Sequence, residues 1–194
     1  MHATIMTFDQ PLPPQAPALT RLVDDLAGRP GFTDGHLLYG GSSPRSRVIA
    51  LWQNAEHARH AATSPLAPAA TVVAEVRDDL PGADTGAPPS AGVLAGWAGP
   101  MDEETAAAGR AARRQRIAPV LLAIPGVLRM IALFEPVTCE PSVLTLLSTP
   151  DAADAVRAAV ATVDLPPELE FLRTPDRLER CTVTQIAART VTTN

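Results

Sequence analysis

Pro30-Gly31 and Pro125-Gly126 each close a helical stretch, and they lie 125 − 30 = 95 residues apart. The same offset carries ALWQNAE (50–56) onto TLLSTPD (145–151), with Trp52 falling on Leu147. Two unlike landmarks sharing one spacing point to an internal duplication in a 194-residue chain. Whatever one half folds into, the other half must repeat.

Periodicity gives the content of each half. In the first, ATIMTFD (3–9) reads as a strand, and 16–28 as a helix with Leu19, Leu22, Val23 and Leu26 on one face, stopping at Gly28 and Pro30. Residues 31–40 and 46–53 are strands around the turn-rich GSSPRS, and NAEHARHAAT (54–63) is a helix that Asn54 can cap. ATVVAEVRD (70–78) closes the set, and a segment dense in Pro, Gly and Ser (80–92) follows as a linker. The second half repeats the order: a strand at 91–99, a long helix from Asp102 to about 123, strands at 125–136 and 141–148, a helix at 149–163 and a last strand at 179–187.

Strand-helix-strand-strand-helix-strand is the ferredoxin-like arrangement, an antiparallel sheet with both helices on one face. VIALW, RMIALF and SVLTLL are apolar on both alternations, as in a sheet buried on both sides. The expected fold is therefore α+β: tandem ferredoxin-like β-α-β-β-α-β repeats that form an intramolecular α/β barrel. The expected boundaries are 1–80 for the first repeat, 81–90 for the linker and 91–190 for the second repeat.

Composition narrows the function classes. Hydrophobic residues make up 46% and charged residues 19%, which is globular, and aromatics at 4% leave an aliphatic core. All basic residues are Arg, so neither a Schiff base nor a lysine phosphate clamp is possible. A net charge of −5 argues against a general nucleic-acid surface. No run reaches the roughly 18 apolar residues of a membrane span, and the N-terminus lacks a basic, apolar leader. These features point to a cytoplasmic protein whose Cys139 and Cys181 are reduced thiols. No metal-ligand spacing, phosphate-cradling glycine loop, nucleophile elbow or paired-carboxylate signature is present.

PGF within RPGFTDGHLLYG (29–40), followed by VIALWQNAEHARHAAT (48–63), resembles the antibiotic-biosynthesis-monooxygenase family of dimeric α/β barrels. At the level of fold the resemblance covers nearly the whole chain as two fused copies; the motif lies in the first copy only. There are departures. The interval from Trp52 to His60 is one residue shorter than the family's, and Leu147 and Ala155 replace Trp and His in the second copy. The resemblance implies cofactor-independent oxygenation of an electron-rich aromatic, such as an anthrone-type polyketide intermediate in natural-product biosynthesis, with O₂ as co-substrate. An ionised phenol can pass an electron to O₂ directly, so the protein need only hold it, favour its anion and exclude water. Neither cofactor nor metal is expected. On this reading Trp52, His60, His57 and Asn54 carry catalysis: Trp52 as pocket wall, Asn54 as hydrogen-bond donor and a histidine as proton acceptor. His36, Tyr39, Trp97 and Gln53 line the substrate site.

Each of these residues has a structural alternative: core packing for Trp52 and Trp97, a helix cap for Asn54, a rim position for Tyr39, and a packed or solvated imidazole for His57 and His60. Four arginines in GRAARRQR (109–116) read as a solvated face or an anion site. A non-oxidative cyclase or isomerase using the same pocket, or a non-catalytic ligand-binding barrel, are the alternative functions. The expected assembly is a monomeric pseudo-dimer or a homodimer.

Overall fold

The computed structural model describes residues 1–41, 43–63, 68–83 and 86–186. Among the described residues, eight strands and five α-helices follow in the order β1 (His2–Phe8), α1 (Pro17–Gly28), β2 (Phe32–Tyr39), β3 (Ser46–Trp52), α2 (Ala55–Ala61), β4 (Ala70–Pro81), β5 (Ala91–Gly96), α3 (Glu103–Ala112), α4 (Ala118–Leu122), β6 (Val127–Glu135), β7 (Glu140–Leu147), α5 (Ala152–Thr162) and β8 (Arg177–Ile186). The class is α+β with antiparallel strand pairing. None of the described helices is long and apolar enough to cross a membrane.

The chain divides into two compact units, Met1–Glu75 with Thr182–Asn194, and Val76–Cys181. β4 and β8 each contribute to both. In the first unit the strand order is β4-β1-β3-β2-β8, and in the second it is β8-β5-β7-β6-β4. Asp84 and Thr85 of the expected linker, Ser42 of the turn loop and everything beyond Ile186 lie outside the described residues. The described linker residues are tied to the second unit: Gly82 N–H donates to Leu128 C=O (2.8 Å), Ala83 N–H to Leu122 C=O (3.2 Å) and Ser90 N–H to Leu147 C=O (2.9 Å).

The first unit packs α1 and α2 on one face of its sheet. Leu19, Leu22 and Leu26 of α1, with Ala58 and Ala61 of α2, meet Met6, Phe32, Leu37, Val48, Ala50 and Trp52. The intervening residues Ile49 and Leu51 are equally buried on the opposite face. The second unit does the same with Ile117, Leu121 and Val156 against Val93, Val127, Met130, Val143 and Leu147. Its opposite face buries Ile131, Leu133, Leu144 and Leu146. Apolar character on both alternations therefore corresponds to burial on both faces, as the sequence leads one to expect.

The 95-residue offset has structural content. Gly31 (φ +76°) and Gly126 (φ +87°) both adopt left-handed backbone. Gln53 N–H donates to Gly31 C=O at 2.9 Å, and Ser148 N–H to Gly126 C=O at 2.8 Å. The β2–β3 register slips between Phe32 and Asp34, and the β6–β7 register slips between Val127 and Arg129. Every one of these pairs differs by 95.

Two segments depart from the expected elements. The helix expected from Asp102 to about 123 starts as anticipated, with Asp102 accepting from Thr105 N–H at 2.7 Å. It then opens into a π-helical turn at Arg113–Ile117 before resuming as α4. Pro119 supplies the reason: it has no N–H, and its ring crowds the carbonyl four residues back, so the helix widens there. Second, Pro167–Arg173 forms a 3-10 helix whose Leu169 and Leu172 are buried in the second unit's core.

Candidate functional site

In the first unit the motif residues separate into buried and exposed sets. Trp52, at the end of β3, has no exposed surface and packs edge-on against Phe32, with ring centroids 5.5 Å apart at 73°. Its Nε1–H is buried without an acceptor among the described residues. Asn54 caps α2, its Oδ1 accepting from His57 N–H at 3.0 Å. Gln53 is exposed and is held through its backbone by Gly31. Tyr39 ends β2 and packs against the first unit's core.

His57 and His60 do meet, one turn apart on α2, in a surface recess of about 440 Å³ that also includes Arg29, Pro30, Glu56 and Thr63. Arg29 Nη1 donates to His60 C=O at 2.9 Å and pairs with Asp25 at 2.7 Å, which fixes one wall. The His57 ring lies flush on Gly31: a Cβ built there would fall 1.8 Å from His57 Nδ1. The Pro-Gly landmark and the histidine are thus one packing unit. His36 is buried elsewhere on β2, its Nε2 3.3 Å from Asp34 Oδ2. That carboxylate is held by Gly35 N–H at 2.8 Å and Gln185 Nε2 at 3.3 Å. The sequence reading passed over His2, which pairs in register with Trp52. Burial lowers its imidazole pKa below the ordinary value, and the N-terminal ammonium and Arg59 act the same way against an opposing Glu75. Among the described residues no three His, Cys, Asp or Glu side chains gather as a metal-ligand set.

A larger cavity, about 690 Å³, opens within the second unit. One side is apolar and aromatic: Trp97 at the end of β5, Leu133 and Phe134 on β6, and Leu172 of the 3-10 helix. The other is cationic, formed by Arg77 of β4 and by Arg110, Arg113 and Arg114 on α3 and its π-helical turn, with Glu103 at the rim. Trp97 is fixed by an Nε1–H donation to Phe171 C=O at 2.9 Å. Arg77 stacks on the Phe134 ring, 4.7 Å from its centroid.

Asp78 organises the cationic wall. Its carboxylate is only 2% exposed and meets Arg113 Nη2 at 2.7 Å, Arg110 Nε at 3.3 Å and Arg114 Nε at 3.5 Å. A buried carboxylate is tolerable only when paired, and three guanidinium groups more than pair it. Four arginines against Asp78 and Glu103 leave 4 − 2 = +2 around the cleft. The Nε of Arg113 is buried without an acceptor among the described residues, so one donor of that wall is unspent. The π-helical turn sets these positions, since it shifts the face on which residues after 113 emerge.

Of the catalytic and substrate-site residues anticipated from sequence, Trp97 alone borders this cleft. Three arginines of the 109–116 run, Arg110, Arg113 and Arg114, face it, while Arg116 pairs with Asp164. The missed residues are Arg77, Asp78 and Phe134. None of the three carried a signal: Asp78 stands between Arg77 and Asp79 in VRDD and reads as an exposed charged strand end, and Phe134 reads as one more apolar residue of its strand.

No family model and no curated protein matches the chain. Among solved structures, the fold is similar to that of an anthrone oxidase-like protein at 11% identity and a TM-score of 0.59, over 100% of this chain and 96% of that one. It is also similar to a monooxygenase-like protein of Fusobacterium nucleatum subsp. nucleatum at 8% identity and TM-score 0.63, over 96% and 92% of the two chains. A third is a major regulator of staphylococcal pathogenesis, at 8% identity and TM-score 0.59 over 93% and 98%. At these identities the likeness is one of fold.

Proposed function

We propose that the chain is a tandem of two ferredoxin-like repeats that acts as a cofactor-independent monooxygenase on a small, electron-rich aromatic anion, and that the substrate binds in the cleft of the second unit. The observation that carries this reading is the pairing, in one cavity, of a fixed indole and phenyl wall with a net-positive guanidinium cluster. A ring needs the first, and a phenolate or enolate needs the second. Guanidinium groups facing a partly apolar cavity lower the pKa of a bound phenol, because the low dielectric strengthens their attraction for the anion. The anion can then reduce O₂ directly. For an anthrone-type methylene the balance is R₂CH₂ + O₂ → R₂C=O + H₂O, one oxygen atom ending in the quinone and the other in water. The monooxygenase-like and anthrone oxidase-like proteins of the same fold support the reaction class.

The His57–His60 recess of the first unit is the competing location for the chemistry. The absence of an imidazole from the residues lining the cleft favours a second reading, in which the cleft binds its ligand without turning it over. One experiment separates the three. Oxygen uptake is followed with an anthrone-type phenol for the parent, Arg114→Gln, and the His57→Ala/His60→Ala pair. The proposal expects one O₂ consumed per quinone, lost under anaerobic conditions, reduced at least tenfold by Arg114→Gln and unaffected by the histidine pair. Loss with the histidine pair alone moves the site to the first unit. Tight binding without uptake leaves a binding protein.

A further inference from the structure

A second, smaller cavity of about 90 Å³ lies in the same unit, against the helix-facing side of the sheet. Val93, Met130, Val143, Val156, Val160 and Leu178 make its wall mainly apolar, with Thr145, Arg113, Arg157 and Arg173 also lining it. Three residues border both cavities: Trp97, Arg113 and Leu172. Trp97 is held by Phe171 C=O, and Arg113 by Asp78, and these side chains stand as a partition where the two spaces adjoin.

We propose that the ligand is bipartite: an aromatic anion whose charged group meets the arginine wall at Arg113 and whose ring lies along Trp97, with a short aliphatic arm reaching past the partition into the apolar cavity. This rests on the reading of the cleft given above and narrows its substrate class. A water molecule's share of liquid volume is about 30 Å³, so the inner cavity has room for roughly three water-sized groups. A mainly aliphatic wall offers water few partners and gains hydrophobic free energy from holding alkyl carbon. An arm of a few carbons matches it in size, and a long acyl chain does not.

Isothermal titration of the intact protein with benzoate, 4-ethylbenzoate, 4-n-butylbenzoate and 4-n-octylbenzoate tests this. Full burial of a methylene corresponds to about fourfold in affinity. Affinity is therefore expected to rise about fourfold per added carbon up to butyl and to stop rising, or fall, at octyl. Ala95→Leu adds bulk inside the apolar cavity and is expected to bring the butyl-to-benzoate affinity ratio close to one. Val160→Met, on the opposite wall, does the same if Ala95→Leu fails to fold. Benzoate binding with no dependence on chain length overturns the inference and leaves the cleft reading standing. A chain-length trend that survives both substitutions also overturns it. If none of the four compounds binds, the reading of the cleft falls with it.

Discussion

Replacing Trp52 by Ala separates packing from catalysis at the most prominent residue of the sequence motif. The ring has no exposed surface and sits among Phe32, Ala58 and Ala61 in the first unit's core. Truncating a buried Trp or Phe to Ala removes about 3–5 kcal/mol, part of it lost transfer energy and part the cavity left behind. Total stabilities run at about 5–15 kcal/mol, so this one change consumes a large share. With a urea dependence of about 2 kcal/mol per M, the unfolding midpoint should fall by roughly 2 M. Trp52→Phe sharpens the argument. It leaves a smaller void and also removes an indole N–H buried without an acceptor, a defect worth about 1–3 kcal/mol. The two effects oppose, so Trp52→Phe should lie within about 1 kcal/mol of the parent. Urea titration followed by far-UV circular dichroism gives both midpoints. Titration with 2-hydroxybenzoate at low denaturant gives binding, expected within about twofold of the parent for both variants. The reasoning is refuted if Trp52→Ala keeps a midpoint within about 0.5 M of the parent while probe binding disappears, for then the indole is a pocket wall.

Three further outcomes follow from local geometry. Gly31→Ala meets a positive φ, at about 1–2 kcal/mol, together with the His57 ring 1.8 Å from the new Cβ. The loss should exceed that of Gly126→Ala, where the nearest atom is Ser148 Oγ at 3.1 Å, and Gly31→Ala/His57→Ala should recover the difference in a thermal melt. Asp78→Asn leaves three arginines facing a neutral amide, and breaking a buried pair of this kind removes about 3–5 kcal/mol; Asp9→Asn, at the exposed pair with Arg45, should lose less than about 1 kcal/mol by the same denaturation assay. The side-chain hydrogen bond from Arg180 holds the Asp154 carboxyl below its usual pKa, with further Arg180 and Arg157 attraction opposing the effect of burial. Its folded pKa being depressed, the pair stabilises at pH above the ordinary carboxylate value and loses that contribution as pH falls through the lowered one. Asp154→Asn should therefore lower the melting temperature at neutral pH, leave the strongly acidic end nearly unchanged and so flatten the acid limb, with a smaller difference from the parent in high salt.

The order of elements was legible because each rests on a local pattern: Leu19, Leu22 and Leu26 for α1, Asn54 and Asp102 as caps, and the doubly apolar β3, β6 and β7. The 95-residue offset was legible because left-handed backbone favours glycine, so Gly31 and Gly126, each after a proline, stand out in the text. Regrouping of the two long strands between units was not, since which half of a strand pairs with which neighbour depends on contacts remote in sequence. The π-helical turn was hidden because its cause, Pro119, lies beyond the residues it displaces. The candidate site shows the same division. Proximity of His57 and His60 follows from helical spacing, whereas the joining of Asp78 to Arg110, Arg113 and Arg114 spans more than thirty positions and leaves no periodic trace. An arginine run looks alike in text whether it meets water or a cleft.

The most direct test of where this protein acts is a crystal structure with 2-hydroxybenzoate bound. The account predicts its ring against Trp97 and Phe134, with its carboxylate on Arg113 or Arg114. Density for it instead beside His57 and His60, with the arginine cleft empty, would contradict the assignment.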